Sequence, residues 1–172
     1  MREYATDGSL VLDSGCGNGR QFISENTVGL DYSAPLLRSA ASKRNLGLVR
    51  GNVHSLPFRD GTFDIALSIA VVHHLSTHER RLRCLTELCR ILRPGGRCLV
   101  YAWQSGAFSK AKFQHIKDTE YLVSWRGETD ALRYYFLFDE QLLVSLCREA
   151  GFTVVGSGIE QESVYAVAKK ED

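Results

Sequence analysis

The segment Val11–Asp31 constrains the fold most, because an apolar strand runs there into an acidic residue and then into a glycine-rich turn. Its core is the run Val11-Leu12-Asp13-Ser14-Gly15-Cys16-Gly17-Asn18-Gly19. Glycines in such a turn let the backbone bend sharply and approach a ligand closely. The pattern predicts a nucleotide-type loop that leads from the first strand of an α/β sheet into a helix.

Two carboxylates beside this loop narrow the choice of ligand. The dinucleotide fingerprint G-x-G-x-x-G requires glycine at position 20, which is Arg20, so the nicotinamide interpretation fails. Asp13 would repel a pyrophosphate but suits the ammonium group of a methionine moiety. Asp31, at the end of the next strand, is placed to accept hydrogen bonds from both ribose hydroxyls. Together the two acids predict S-adenosylmethionine, which has no phosphate.

The predicted cofactor contacts lie at or just after the ends of strands: Asp13, Gly15, Cys16, Gly17, Asp31, Tyr32, Asn52, Val53, Ser68 and Ile69. Asn52 and Val53 follow the third strand, where a polar side chain and a backbone N–H would read the adenine edge. Cys16 occupies a position that requires a small residue, so we do not expect its thiol to be catalytic. The alternative is that Asp13 and Asp31 are helix caps or turn acids and that Asn52 is a turn residue.

Short apolar runs alternate with helical patterns along most of the chain, which favours βαβ units and a parallel sheet. Helices are expected between strands at Leu10–Asp13, Val28–Asp31, Leu48–Gly51, Phe63–Ser68 and Arg97–Trp103. A stripe of leucines predicts a helix over Glu79–Leu92 that stops at Pro94-Gly95-Gly96. A second amphipathic helix is expected over Asp139–Ala150, with Asp139 as its N-cap.

Two more strands are expected near Thr153–Gly156 and Val164–Ala168. Too few residues separate them for a crossover helix, so they should form an antiparallel hairpin. The predicted fold is therefore α/β and Rossmann-like, a mostly parallel seven-stranded sheet with a C-terminal antiparallel hairpin and helices on both faces. A length of 172 residues suits a single domain over 1–172. The stretch 104–134, which mixes polar and aromatic residues, is expected to be an insertion on the substrate side.

Composition excludes several classes of protein. Hydrophobic residues make up 44% and charged residues 24%, as in ordinary globular domains. The longest apolar stretch, Ile65–Val72, is far shorter than the roughly 20 residues of a membrane span, so we expect no membrane contact.

The five cysteines are odd in number and dispersed, which favours a reducing, cytoplasmic location. Without a Cys-x-x-Cys pair we expect no metal site in this chain. A net charge of +1 neither indicates nor excludes a nucleic-acid partner.

Several runs along the chain carry a family resemblance: Asp13–Gly19, Phe63–Thr77, Glu79–Arg81, Leu92–Gly96, Val100–Trp103, Leu122–Trp125 and Arg133–Tyr135. With these runs the chain resembles class I S-adenosylmethionine-dependent methyltransferases, and more closely the eukaryotic tRNA wobble-uridine carboxymethyl methyltransferases. The glycine loop is common to many methyltransferases, whereas the Ser-Ile-Ala-Val-Val-His-His run combined with Glu-Arg-Arg is more selective.

The resemblance implies the class I methyltransferase fold and methyl esterification of a 5-carboxymethyl group on a wobble uridine of tRNA. It also implies a small zinc-binding activator protein as an obligatory partner, which adds to the sheet edge formed by the third strand. In this family a helical segment, often a lid over the cofactor, precedes the first strand, whereas here the glycine loop follows soon after Met1. Either the chain is a reduced member or the lid comes from elsewhere.

The substrate-side candidates are His73, His74, Arg133 and Tyr134. The histidines follow the carboxyl end of the sheet, where ligands gather in open α/β folds, although either one has a structural role as its alternative. Arg133 would pair with an acceptor carboxylate or with an RNA phosphate. Tyr134 and Tyr135 would stack on bases or pack in the core.

A carboxylate acceptor needs no general base, because with a reference pKa near 4 it is already ionised at neutral pH. Orientation and desolvation would carry the catalysis. The fourth strand is not followed by the Asn-Pro-Pro-Tyr type motif of enzymes that methylate amide or exocyclic amino nitrogens, which disfavours such acceptors. Arg80 and Arg81 are either part of a solvated helix face or RNA contacts. Two alternatives stay open, a methyltransferase that acts on a small molecule or protein, and a non-catalytic module that binds a partner.

Overall fold

The computed structural model describes residues 8–104, 113–124 and 132–171. The strands of its central sheet are β1 (Val11–Ser14), β2 (Thr27–Asp31), β3 (Gly47–Arg50), β4 (Phe63–Ile69), β5 (Leu92–Trp103), β9 (Phe152–Glu160) and β10 (Ser163–Lys170). They lie in the order β3-β2-β1-β4-β5-β10-β9. The first five run parallel, and β10 lies antiparallel between β5 and β9. The predicted mostly parallel seven-stranded sheet with a C-terminal antiparallel hairpin is confirmed.

The described helices are α1 (Ala34–Ala40), α2 (His78–Ile91) and α3 (Glu140–Glu149). α2 and α3 cover one face of the sheet, where Leu85 and Leu143 join the main core. The crossovers β2-α1-β3 and β4-α2-β5 run in opposite directions across the sheet. Since both follow the right-handed rule, α1 lies on the other face. Asp139 caps α3 as predicted, because its carboxylate accepts a hydrogen bond of 2.8 Å from the backbone N–H of Leu142.

The helix expected directly after the glycine loop is not formed, and this prediction is wrong. Residues 15–26 are turns and bends that lead straight into β2. The reason is the backbone of the loop itself, because Gly15, Gly17 and Gly19 have φ angles of 78°, 54° and 74°. A right-handed helix requires negative φ at every residue, so three left-handed glycines in five positions exclude a helix over residues 15–19 and leave only residues 20–26 before β2.

The connection between β3 and β4 also lacks the predicted helix, since residues 51–62 are turns and an isolated bridge. Side chains of α2 hold this connection in place, Arg90 with the most bonds. The guanidinium of Arg90 donates to the carbonyl oxygens of Leu56 and Phe58 at 3.0 and 2.8 Å and pairs with Asp60 and Glu87. These bonds satisfy the backbone polar groups that a helix would otherwise have paired.

The predicted and observed ends of helices and strands differ most around Pro94-Gly95-Gly96. α2 ends at Ile91, before that signal, and β5 begins at Leu92 rather than at Arg97. Leu92 is extended and pairs with Phe63, after which the ladder resumes between Ile65 and Arg97, so the intervening residues form an irregularity. The other predicted strands and helices differ from the observed ones by a few residues at their ends, as in the C-terminal strands, which are longer than predicted.

A second sheet lies within the stretch expected to be a substrate-side insertion, and sequence analysis did not predict it. Its antiparallel strands are β6 (Phe113–Lys117), β7 (Glu120–Ser124) and β8 (Leu132–Phe136). β8 packs against the 3₁₀ turn Val72–His74 that follows β4. Trp125, part of the family resemblance, lies outside the described residues.

Within the described ranges, no helix combines the length and apolar character that crossing a bilayer demands.

Candidate functional site

A cavity of about 780 Å³ opens at the carboxyl ends of the parallel strands. One side, which we call the glycine-loop wall, is formed by Asp13, Gly15, Cys16, Gly17, Arg20, Asp31 and Tyr32. The other side, the histidine wall, is formed by His73, His74, Trp103, Arg133, Tyr134 and Tyr135. Ligands of open α/β sheets bind at this edge, where the strand order reverses between β1 and β4.

Asp31 organises the glycine loop. One of its carboxylate oxygens accepts a hydrogen bond of 2.8 Å from the N–H of Gly17, and the other accepts one of 2.8 Å from the N–H of Ser33. The N–H groups of Gly15 and Cys16 both donate to the carbonyl oxygen of Leu30, at 2.7 and 2.9 Å. Each Asp31 oxygen retains a lone pair, so the carboxylate that shapes the loop still has capacity for a ligand.

Gly15 and Gly17 restrict the loop in different ways. A Cβ built on Gly15 would collide with the side chain of Val71, so this position excludes any larger residue. A Cβ on Gly17 would meet no atom of any described residue within 4 Å, although the residue lines the cavity. Gly17 therefore leaves open a space that a ligand can enter, while Gly15 permits close packing of loop and strand.

Asp13 is a buried acid that lacks a partner. Its side chain is 1% exposed, and its Oδ2 atom makes no hydrogen bond within the described part of the chain. Burial, together with the charge of Asp31, raises the pKa of Asp13 to about 7. A buried carboxylate without a partner is costly, so this position suits a cationic ligand group. Cys16 beside it is different, because burial raises its pKa to about 12 and keeps the thiol protonated at neutral pH.

Eight of the ten predicted cofactor residues line the cavity, including Val53 and Ile69, and two do not. Asn52 is exposed, and its side-chain oxygen accepts a hydrogen bond of 3.0 Å from the N–H of His54. Ser68 is fully buried and, by the alternation of β4, shares the face of Ala66, which belongs to the core under α2 and α3. The structure does not bring these two positions to the cavity lining, because one side chain serves a local turn and the other faces away from Ile69.

All four substrate-side candidates line the histidine wall, although they come from distant parts of the sequence. The ring of Tyr135 stacks on Trp103 with centroids 4.5 Å apart and on His73 with centroids 5.2 Å apart. The Nδ1 atom of His73 accepts a hydrogen bond of 3.1 Å from the backbone N–H of Trp103. His74 bonds through Nδ1 to the carbonyl oxygen of Tyr134 at 3.1 Å. These contacts fix the 3₁₀ turn between β5 and β8.

Burial lowers the pKa of both histidines, that of His73 well below 6.5, so both rings are neutral at neutral pH. Tyr135 is 2% exposed, which rules out the expected stacking of this ring on a base. Arg81 is neither on a solvated helix face nor exposed for an RNA contact. It is buried, donates to the carbonyl oxygen of Leu75 and lies 3.8 Å from the centroid of the Phe136 ring. Arg81 thereby ties α2 to β8.

Sequence analysis missed several residues of the cavity. Ala70 and Val71 follow β4 directly, and Trp103 ends β5. Ala70 has a φ of 59°, which is unusual for a residue with a side chain and redirects the chain into the 3₁₀ turn. Their position after parallel strands is a signal that could have identified them, whereas the left-handed conformation of an alanine has no signature in the sequence.

Comparison with known proteins identifies the family. Residues 12–100 match the model of a family described as a methyltransferase domain. This chain belongs to that methyltransferase family. It is 46% identical over 173 residues to a protein of Encephalitozoon cuniculi that is named as a methyltransferase. The alignment covers 99% of this chain and 82% of the relative. It is 40% identical over 130 residues to the tRNA (carboxymethyluridine(34)-5-O)-methyltransferase of Xenopus tropicalis. That alignment covers 73% of this chain but only 20% of the longer relative.

Solved structures agree on the fold. A SAM-dependent methyltransferase from Methanosarcina mazei superposes with a TM-score of 0.84 at 20% identity, covering 98% of this methyltransferase and 95% of that chain. The 1,6-didemethyltoxoflavin-N1-methyltransferase of Burkholderia thailandensis, solved with S-adenosylhomocysteine, superposes with a TM-score of 0.69 at 26% identity. The match covers 95% of this chain and 72% of that chain. A methyltransferase in complex with the Haloferax volcanii Trm112 activator gives 0.71 at 16% identity, with 96% and 84% covered. The class I fold is confirmed, and S-adenosylmethionine is the cofactor of this enzyme.

Proposed function

We propose that this methyltransferase esterifies the 5-carboxymethyl group of a wobble uridine in tRNA, as the catalytic subunit of a complex with a small zinc-binding activator. The observation that carries the proposal is the charge contrast across the cavity. Both acids of the cavity lining, Asp13 and Asp31, lie on the glycine-loop wall beside Arg20, whereas the histidine wall carries Arg133 and, among the described residues, no carboxylate. An anionic acceptor group suits that second wall.

The residues of the glycine-loop wall fit the cofactor. The unpartnered oxygen of Asp13 suits the ammonium group of the methionine moiety, and Asp31 retains lone pairs for the ribose hydroxyls. The cofactor would lie against the backbone of the loop at Gly15, Cys16 and Gly17. Tyr32, Val53 and Ile69, which also line the cavity, complete the proposed cofactor set. When bound, S-adenosylmethionine supplies an electrophilic methyl group on a sulfonium sulfur.

The histidine wall performs a different task. Arg133 holds the acceptor carboxylate, which is ionised at neutral pH and needs no base to remove a proton. His73 and His74 are neutral, so neither competes with Arg133 as a charged partner of the carboxylate. Tyr134 is half-buried at the cavity and donates a hydrogen bond of 3.3 Å to the carbonyl oxygen of Ser76, which orders the wall. Catalysis then rests on orientation and on the exclusion of water.

The edge of the sheet supports the partner. β3 pairs only with β2 in the described sheet, and neighbouring Leu46 is 59% exposed, so the outer side of β3 is available for an added strand. The similar structure from a complex with the Trm112 activator and the tRNA-modifying relatives point the same way. Five free cysteines are compatible with the cytoplasm, where we propose that the complex acts.

The test is a transfer assay with labelled S-adenosylmethionine, the co-purified activator and tRNA from cells that lack the endogenous enzyme. We expect label in the tRNA only when both proteins are present, and release of that label by mild alkali, because a methyl ester hydrolyses while a methylated base nitrogen does not. Strong transfer to small molecules or proteins without RNA would replace tRNA as the acceptor. Absence of cofactor binding in calorimetry, even with the activator, would instead indicate a non-catalytic module.

A further inference from the structure

The adjacent histidines of the 3₁₀ turn are held in opposite tautomers by the backbone. A carbonyl oxygen can only accept a hydrogen bond, so the contact of 3.1 Å to the carbonyl of Tyr134 places a proton on Nδ1 of His74. Burial lowers the pKa of this ring, which is therefore neutral at neutral pH. A neutral imidazole with its proton on Nδ1 has a lone pair on Nε2. His74 thus presents a hydrogen-bond acceptor.

His73 has the reverse arrangement. The N–H of Trp103 donates to its Nδ1 atom, so the proton of the neutral ring is on Nε2. That Nε2 is buried and makes no hydrogen bond to any described residue, which means that it does not donate to His74 either. The two rings instead meet edge to face with centroids 4.3 Å apart. The lone pair of His74 therefore remains available in a wall whose other groups are rings, a tyrosine hydroxyl and the Arg133 cation.

We infer that His74 is a specificity-determining residue of this enzyme, whose Nε2 lone pair accepts a hydrogen bond from the N3–H of the uracil ring of the acceptor nucleoside. The inference rests on the proposed function. With Arg133 on the carboxylate, the single ring N–H donor of 5-carboxymethyluracil is the feature that a hydrogen-bond acceptor on this wall can recognise. RNA-binding proteins commonly read a splayed base through hydrogen bonds to this edge.

The complementary prediction concerns cytosine, whose ring carries a lone pair at N3 in place of the N–H. That lone pair would face the lone pair of His74, and a polar group left unpaired in a desolvated site is costly. A carboxylate acceptor gives up no proton, so His74 is not required as a base and its lone pair is free for recognition. The wall would thus select the pyrimidine while the chemistry occurs at the side chain.

The test compares anticodon stem-loop RNAs that carry either 5-carboxymethyluridine or 5-carboxymethylcytidine at the wobble position, with the activator present. We expect the enzyme to prefer the uridine RNA by roughly 100-fold in kcat/KM, the loss that an unpaired polar group in a desolvated site produces. In His74→Phe the uridine RNA should lose about 30-fold while the cytidine RNA changes less than threefold. His78→Phe, an exposed histidine of α2 outside the cavity, is the matched control and should retain the preference.

Equal rates on both RNAs in the unmodified enzyme, or an equal loss on both in His74→Phe with cofactor affinity unchanged, would overturn the inference alone. No methylation of either RNA would refute the proposed function together with it. A second measurement needs no RNA, since long-range ¹H–¹⁵N spectra report imidazole tautomers directly. We expect His74 protonated on Nδ1 and His73 on Nε2, and the reverse pattern at His74 would remove the acceptor on which the inference depends.

Discussion

The two walls of the cavity differ in charge and in how the chain builds them. The glycine-loop wall comes from one stretch between Asp13 and Tyr32, holds both acids of the cavity lining together with Arg20, and is shaped by backbone bonds to one carboxylate. The histidine wall joins residues 73–74, 103 and 133–135, and it is aromatic, neutral or cationic. An acidic wall suits a cationic cofactor and a cationic wall suits an anionic acceptor. We therefore expect substitutions on the two walls to separate cofactor affinity from methyl transfer.

The largest effect is expected at Asp31. Asp31→Ala removes the acceptor of the Gly17 and Ser33 N–H bonds as well as the proposed ribose contacts. Since hydrogen bonds to a charged group contribute about 1.5 to 3 kcal/mol each, cofactor affinity should fall about 1,000-fold, measured by calorimetry. Glu25→Gln, in an exposed ion pair with Arg44, is the control and should leave affinity unchanged. Unchanged affinity in Asp31→Ala would show that the acid is placed wrongly.

This contrast also explains what the sequence could predict. Asp13, the glycines and Asp31 are neighbours in sequence and carry a pattern with a direct physical meaning, so the cofactor and most of its wall followed from it. The side chain of Ser68 does not line the cavity, because successive residues of a strand point to opposite faces of the sheet. No local pattern in the sequence indicates which face holds the cavity. His73 was named from its position after β4, and Arg133 and Tyr134 from their chemistry within runs that carry the family resemblance. Their proximity could not be predicted, because it depends on β6, β7 and β8, a sheet that the mixed composition of its strands concealed.

The next effect is a pH dependence confined to the glycine-loop wall. The pKa of Asp13 is raised to about 7, and a cationic ligand binds its ionised form. Cofactor affinity should therefore be constant above about pH 8 and weaken roughly tenfold per unit below pH 7. Burial lowers the pKa values of His73 and His74 below 6.5, so neither ring is charged near pH 7, where Asp13 titrates. Calorimetry from pH 8 to 5 measures the slope, and Asp13→Asn should abolish it.

The same residue should affect stability with the opposite sign. The folded pKa of Asp13 lies above its unfolded value of 3.8, so the folded, cofactor-free protein binds the proton more tightly. Its contribution to the free energy of unfolding should thus increase as the pH falls from 8 towards 4. Asp13→Asn should accordingly raise the Tm of the cofactor-free protein at pH 8 and change it little near pH 4. A lower Tm at pH 8 would mean that Asp13 has a stabilising partner.

On the histidine wall, Arg133→Ala should weaken methyl transfer and spare cofactor binding. The loss of one charge-assisted contact to the acceptor carboxylate corresponds to about 30-fold in kcat/KM, mainly through KM. Arg38→Ala, on the exposed face of α1, is the control and should change kcat/KM less than twofold. If Arg133→Ala weakened cofactor affinity as much as methyl transfer, the division of the cavity into two walls would be wrong.

The smallest effect concerns the open space beside Gly17. Gly17→Ala places a Cβ where no atom of a described residue lies within 4 Å, at a φ of 54°. The strain of a left-handed alanine costs about 1 to 2 kcal/mol of stability, and any further effect is a clash with the ligand. Gly61→Ala is the matched control, because Gly61 has a φ of 64° and lies outside the cavity. Both variants should lose similar stability in urea unfolding, while only Gly17→Ala should lose cofactor affinity, by about tenfold. Equal affinities would show that the cofactor does not approach the loop at Gly17, and the glycine would then serve only the turn.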